Sequence, residues 1–271
     1  MHKYSYYVGQ ISLFIIFAVR VLLRVASGCK LIKRKYICSL SSIFFIGGIV
    51  YQVKFRMGLM EKTEIILIRH GESLGNAARL YLGRTDLDLS EYGYYQANEA
   101  AAAISDVKID RIYSSPLIRA YNTAVPHARL RGLKITVVDD LAEIFLGEWE
   151  NLPIEVLEGE WHEEFVHGWR ENFGVCKTPG GESVPEVAER VYNAVLKIAE
   201  ANVGKTVLIA SHAAAIRAFY GKVSGIAPIK LAEMLPFPLN ASLTRVGFDG
   251  EKLYPIAYSD DSHIKSISPK S

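Results

Sequence analysis

Two short runs constrain this chain more than anything else in it: EIILIR at 64–69 and TVLIA at 206–210. Their apolar residues are consecutive rather than alternating, so a strand built from either must be covered on both faces. Patterns of helical period lie between and after them. Ser90 caps a stretch at 91–104 with Tyr94, Ala97, Ala101 and Ile104 on one face. Ser115-Pro116 reads as an N-cap followed by proline at the first helical position, opening a helix that runs through Arg119 and bends near Pro126. Pro185 opens a long amphipathic helix with Val187, Val191, Val195 and Ile198 in register, and another helix starts at about Ala214. Further strands are expected at 111–113 and 134–138. A terminal hairpin is expected from 242–248 and 253–258 around Asp249-Gly250. Apolar strands alternating with helices predict an α/β fold, a three-layer α/β/α arrangement with a mostly parallel central sheet. Such sheets bind ligands beyond the carboxyl ends of their strands. His70 and His212 both fall there.

The charge is unevenly spread. Nine of the 31 Lys and Arg and none of the 29 Asp and Glu fall in the first 60 residues, which leaves 22 bases against 29 acids, a net of −7, for 61–271. An acidic body lacks the broad basic surface that a nucleic-acid partner needs. An anion bound there must be held by a few local arginines. Three cysteines, Cys29, Cys38 and Cys176, form neither a disulfide framework nor a zinc spacing, which fits a reducing, cytoplasmic compartment.

Residues 1–59 form a hydrophobic, basic leader. Two uncharged apolar runs, 4–19 and 37–53, are 16 and 17 residues long, at the lower edge of what spans a bilayer. One reading is a membrane anchor through residues 4–53 with its basic loop inside. The other is a mis-assigned start. The segment's bias toward Ile, Phe, Tyr, Lys and Ser is what AT-rich upstream DNA would encode, and Met57 and Met60 stand just before the first regular strand.

Four groups invite a common role: Arg69, His70, Arg119 and His212. Arginine matches phosphate oxygens in bidentate fashion and stays charged at any relevant pH. Two arginines, a second histidine and helix N-terminal amides can surround a phosphoryl group. A neutral imidazole opposite the leaving group is then set for in-line attack. With arginines carrying the charge, neither a metal nor another cofactor is needed, and the sequence has no P-loop or carboxylate cluster for magnesium. An acid must protonate the leaving oxygen. Glu143, in LAEIFLGEWE at 141–150, is the best placed; Glu148 and Glu150 are its alternatives, and a plain cap or arginine pair is its bland reading.

The chain from about 60 to 271 resembles the histidine phosphatase superfamily, also called the phosphoglycerate mutase-like family, and its phosphatase branch in particular. RHGESLGN, GRTDLDLSEYGYYQA, SSPLIRAYNTA, LAEIFLGEWE, PGGES and VLIASHAAAIR match its segments in order. The resemblance implies a catalytic domain over 60–271, in which His70 becomes phosphorylated and Arg69, Arg119 and His212 bind the phosphoryl group. It also implies that Asn76 contacts the phosphate and that Glu143 is the acid, then the base for water. Ala213 stands where the family has glycine. If that backbone needs a glycine-only conformation, or its amide must come close to the phosphate, the methyl costs activity.

The expected function is a metal-independent phosphomonoesterase acting on a small phosphorylated metabolite, as a monomer or a homodimer. One rival is a mutase, disfavoured because EIFLGEWE lacks the arginine that mutases carry beside the acid. Another is a catalytically weak phosphate-binding scaffold, motivated by Ala213. His127, His162, His167 and His263 read as solvated or structural. Trp161, Phe165, Trp169 and Phe173 recur every four residues, the spacing of a packed helix face. The segment 152–175 that holds them is where a lid over the site would be inserted.

Overall fold

The computed structural model describes residues 39–46, 49–56 and 62–264. Contacts divide the chain into two units, Met1–Leu59 and Met60–Ser271. In the first, β1 (Ser39–Ile46) and β2 (Ile49–Arg56) pair antiparallel, with Ile46 opposite Ile49 and Ser39 opposite Arg56. The described part of the second apolar run, 37–53, is therefore strand and not a membrane-spanning helix. The run is rich in β-branched and aromatic residues, and Gly47-Gly48 interrupts it, a composition suited to a hairpin. The first run, 4–19, lies outside the described residues. Among the described residues no helix is long and apolar enough to cross a membrane.

The second unit is built on six strands: β3 (Thr63–Arg69), β4 (Arg111–Ser114), β5 (Ile135–Val137), β6 (Thr206–Ser211), β7 (Leu243–Phe248) and β8 (Leu253–Asp260). Their order is β5-β4-β6-β3-β7-β8. The pairs β3/β6, β4/β6 and β4/β5 are parallel, whereas β7 is antiparallel to both β3 and β8. Helices α1 (Leu74–Ala77), α2 (Glu91–Ala103), α3 (Ile118–Arg131), α4 (Ile154–Glu160), α5 (Val184–Glu200), α6 (Ala213–Val223) and α7 (Leu231–Met234) complete it.

The consecutive apolar residues of β3 explain the layering. Ile65 and Leu67 enter one core with Val187, Val191 and Val195 of α5 and Ile216 and Phe219 of α6. Ile66 and Ile68 enter a second core with Ala100 of α2 and Ala120 and Ala124 of α3. All four β3 side chains are fully buried, each worth about 1.5–3 kcal/mol relative to exposure. The result is a three-layer α/β/α arrangement around a mixed sheet.

Capping fixes where several helices start. Ser90 accepts from the Gly93 N–H at the start of α2, and Ser183 with Glu186 makes a capping box at the start of α5. The start expected at Ser115-Pro116 is corrected: α3 begins at Ile118, and Leu117 stands at its N-cap without a side-chain bond. Ser115 still belongs to the sheet edge, since its N–H donates to the Ala210 carbonyl at 2.9 Å. The helix runs on through Pro126 to Arg131.

Candidate active site

Strand register brings the two histidines together. In the parallel β3/β6 pair Arg69 lies opposite Ser211, so His70 and His212 follow at level positions. The His70 N–H extends the ladder by one bond, to the Ser211 carbonyl at 3.0 Å. The rings end 5.1 Å apart, centroid to centroid. The chain must turn sharply after His70 beneath α2. A Cβ on Gly71 would sit 2.4 Å from the Gly93 carbonyl oxygen, so the two backbones touch as only glycine allows.

Both imidazoles are buried, and burial together with Arg119 and Arg69 holds both well below the ordinary histidine range. They are neutral at physiological pH, so each has one protonated nitrogen. His70 Nδ1 lies 2.7 Å from the Gly71 carbonyl, which can only accept. Nδ1 therefore carries the proton and Nε2 keeps its lone pair, the form a nucleophile requires.

The arginines are held at their outer ends. Arg119, in the first turn of α3, donates through NH1 to the Thr85 carbonyl at 2.8 Å and through NH2 to the Gly83 carbonyl at 2.7 Å. Arg69 donates through NH1 to the Pro238 carbonyl at 2.7 Å. The Nε atoms of both, and Nδ1 of His212, are buried without a partner. Burial lowers the pKa of both guanidiniums, that of Arg69 to about 10, so both stay charged. A buried Arg119 and a half-buried Arg69, each with a buried Nε lacking a partner, are costly unless an anion joins them.

Asn76 sits in α1, where its Oδ1 accepts from the Ser73 N–H at 3.1 Å and from Asn240 Nδ2 at 3.3 Å. That fixes the amide and leaves its Nδ2 donors toward the cavity that Asn76 lines with Arg69, His70, Glu143 and Ala213. The cavity measures about 440 Å³.

Glu143 is buried at the start of α6. Its carboxylate accepts from the N–H groups of Ile144, Ala214 and Ala215 at 2.9, 3.1 and 2.9 Å. Burial raises its pKa against the pull of those bonds and of Arg119. It thus caps α6 and faces the cavity at once. Glu150 is held differently: it accepts from the N–H groups of Gly83, Arg84, Thr85 and Leu146 and from the Thr85 hydroxyl, and these bonds lower its pKa despite partial burial. Glu148 is exposed.

Ala213 is the first residue of α6 and does not have a positive φ. No glycine-only conformation is required there, and its methyl simply lines the cavity.

Three contributors were missed in the sequence. Ser115, read as a cap, sits 2.7 Å from His212 Nε2. Asn240 donates to the His70 carbonyl at 3.0 Å. Ala241 takes the left-handed conformation, φ 57°, so that its N–H reaches the carbonyls of Arg69 and His70. His263 in turn bonds the Ala241 carbonyl at 3.0 Å. His127 is buried with neither nitrogen partnered, while His162 and His167 are exposed and bond within their own segment.

The aromatic spacing does pack. Phe165, Trp169 and Phe173 are buried with Trp149, on a backbone that forms a π-helix at Glu163–Arg170. The same segment supplies Ile154, Glu158, Trp169 and Arg170 to the cavity wall.

The chain belongs to the histidine phosphatase superfamily: the model of its branch 1 matches residues 65–261. It is 35% identical to phosphoserine phosphatase 1 of Hydrogenobacter thermophilus over 164 residues, 60% of this chain and 77% of the relative. It is 33% identical to a probable phosphoglycerate mutase, GpmB, of Yersinia pestis over 188 residues, 68% of this chain and 85% of the relative. Among solved structures, a mycobacterial glucosyl-3-phosphoglycerate phosphatase in complex with VO3 superposes with a TM-score of 0.68 at 26% identity, covering 73% of this chain and 98% of its own.

Proposed function

We propose that this protein is a metal-independent phosphomonoesterase that works through a phosphohistidine on His70. The carrying observation is the group of buried, unpartnered nitrogens, Arg69 Nε, Arg119 Nε and His212 Nδ1, gathered beside an imidazole whose Nε2 is unprotonated. They can take the equatorial oxygens of a phosphoryl group, with Asn76 Nδ2 as a further donor. His70 Nε2 attacks phosphorus and the ester P–O bond breaks in line. Glu143, kept protonatable by burial, gives its proton to the departing oxygen, and the product alcohol leaves. The Glu143 carboxylate then takes a proton from water, whose oxygen attacks the phosphohistidine. Inorganic phosphate and free His70 result, and Glu143 is protonated for the next cycle.

The substrate is a small phosphorylated metabolite whose leaving group meets Leu80, Tyr81, Ile144, Trp169 and Phe237. Arg170 and Arg79 also line this wall, and Arg79 pairs with Glu155 at 2.9 Å. Arg170 pairs with Glu158, and a carboxylate on the leaving group can exchange with either glutamate. The substrates named for the phosphoserine and glucosyl-3-phosphoglycerate phosphatases each carry one.

The test is phosphate release from a panel of phosphoserine, 3-phosphoglycerate, glycerol phosphate and ethanolamine phosphate, with an aryl phosphate as reference. The proposal expects turnover, a preference for the carboxylated members, and a KM that Arg170→Ala raises for them more than for glycerol phosphate. Conversion of 3-phosphoglycerate to 2-phosphoglycerate without phosphate release would replace it with the mutase reading.

A further inference from the structure

The role of His212 depends on which of its nitrogens carries the proton, and the residue that decides this is not an arginine. Ser115 follows β4 at the sheet edge, fully buried, with its Oγ 2.7 Å from His212 Nε2. Pro116 has no N–H, so the next amide, that of Leu117, folds back and donates to the same Oγ at 3.2 Å. A serine hydroxyl has one proton and two lone pairs. One lone pair is taken by Leu117, and the only acceptor described for the hydroxyl proton is His212 Nε2.

We propose that Ser115 is a positioning residue that locks His212 in the Nδ1–H tautomer, so that the second histidine meets the phosphoryl group as a hydrogen-bond donor. The opposite tautomer fails twice. Nε2–H would fill the second lone pair of Ser115 and strand the hydroxyl proton in a dry interior. It would also turn the Nδ1 lone pair toward an anion. With Nδ1–H the buried, unpartnered atom of His212 becomes a donor waiting for an oxygen.

His70 and His212 then share one tautomer and present opposite faces of it. A carbonyl holds His70 by Nδ1–H and frees a lone pair for attack. A hydroxyl holds His212 by Nε2 and frees an N–H for charge stabilisation. Ser115 touches neither substrate nor phosphorus; it acts through His212.

The inference rests on reading this site as a phosphoryl pocket, but its measurement does not depend on turnover. In protein labelled with ¹⁵N-histidine, the ring nitrogen shifts of His212 report the tautomer directly, without ligand and with saturating inorganic phosphate. The expected result is protonated Nδ1 and unprotonated Nε2 in both states. Ser115→Ala should shift His212 toward Nε2–H and lower kcat/KM about 10²–10³-fold, the scale of losing one preorganised donor, while Ser115→Thr restores both. An Nε2–H signal for His212 in phosphate-bound wild type overturns the inference, as does a Ser115→Ala protein with unchanged tautomer and kinetics. Should Ser115→Ala fail to fold, the wild-type spectra decide alone. Failure of the phosphatase reading has a different signature: no turnover by wild type, whatever the tautomer.

Discussion

Glu143 is asked to be two things, an anchor for the first turn of α6 and a proton donor. Three backbone N–H bonds favour its ionised form, burial favours its neutral form, and burial wins. Its service as an acid must therefore fade as pH rises through its elevated pKa. The leaving group gives a sharper test. An aryl oxide departs without help, whereas an alkoxide needs the proton. Glu143→Gln, which keeps the shape and whose one carbonyl oxygen can still accept from Ile144 and Ala215 but not also from Ala214, should lower kcat about 10²–10⁴-fold for an alkyl phosphate and far less for p-nitrophenyl phosphate. Equal losses for both substrates would remove Glu143 from the acid's role. At this scale the sequence was most informative where chemistry is unusual. Arg69, His70, Arg119 and His212 stood out because charge and imidazole follow buried strands. Ser115 and Asn240 did not, because a serine before proline also describes a helix cap and a lone asparagine describes any loop.

Elements place these groups by bonding to one another's backbones. The Glu150 carboxylate gathers the amides of Gly83, Arg84 and Thr85, and the carbonyls of Gly83 and Thr85 grip the Arg119 guanidinium. Glu150 thus positions Arg119 without facing the cavity. Glu150→Ala should cost about 2–4 kcal/mol of stability in urea titrations, from stranded amides. It should also weaken inhibition by inorganic phosphate, while leaving the alkaline limb of the pH profile, where the proton donor is lost, in place. A change in the alkaline limb would instead make Glu150 the proton donor. The strands themselves were legible from 64–69 and 206–210, since consecutive apolar residues leave no alternative to double coverage. The start of α3 was not, because its cap residue had been claimed by His212 across the sheet. The widened turn at Glu163–Arg170 leaves no composition signal either, only the four-residue spacing of Phe165 and Trp169.

At the scale of the whole fold, three histidines among the described residues are kept neutral inside it: His70, His212 and His127. The pKa of His127 is pushed down to about 3 by burial, then by Arg131 and His263. Each has a folded pKa below the unfolded value of 6.5, so the unfolded chain binds more protons as pH falls through that value. Stability should then drop with falling pH from about 6.5 downward, by up to ~1.4 kcal/mol per pH unit for each histidine. For His127 this continues to about pH 3. Urea midpoints at pH 7, 6 and 5 measure it. His127→Leu should flatten the slope by about one histidine's share without altering turnover, and an unchanged slope would show that His127 is not neutral in the fold. The α/β/α layering was open to sequence reasoning because it follows from hydrophobic pattern. A buried, unpartnered imidazole was not, since nothing in AVPHARL at 124–130 marks that histidine as interior.

Hydrolysis by this route requires covalent chemistry at His70, and rapid quenching during turnover of a ³²P-labelled substrate tests that directly. The predicted result is a burst of protein-bound label that is lost in acid, survives in alkali, maps to the peptide containing His70, and is absent from His70→Ala. Turnover with no such label, or label that persists in the His70→Ala protein, would contradict it.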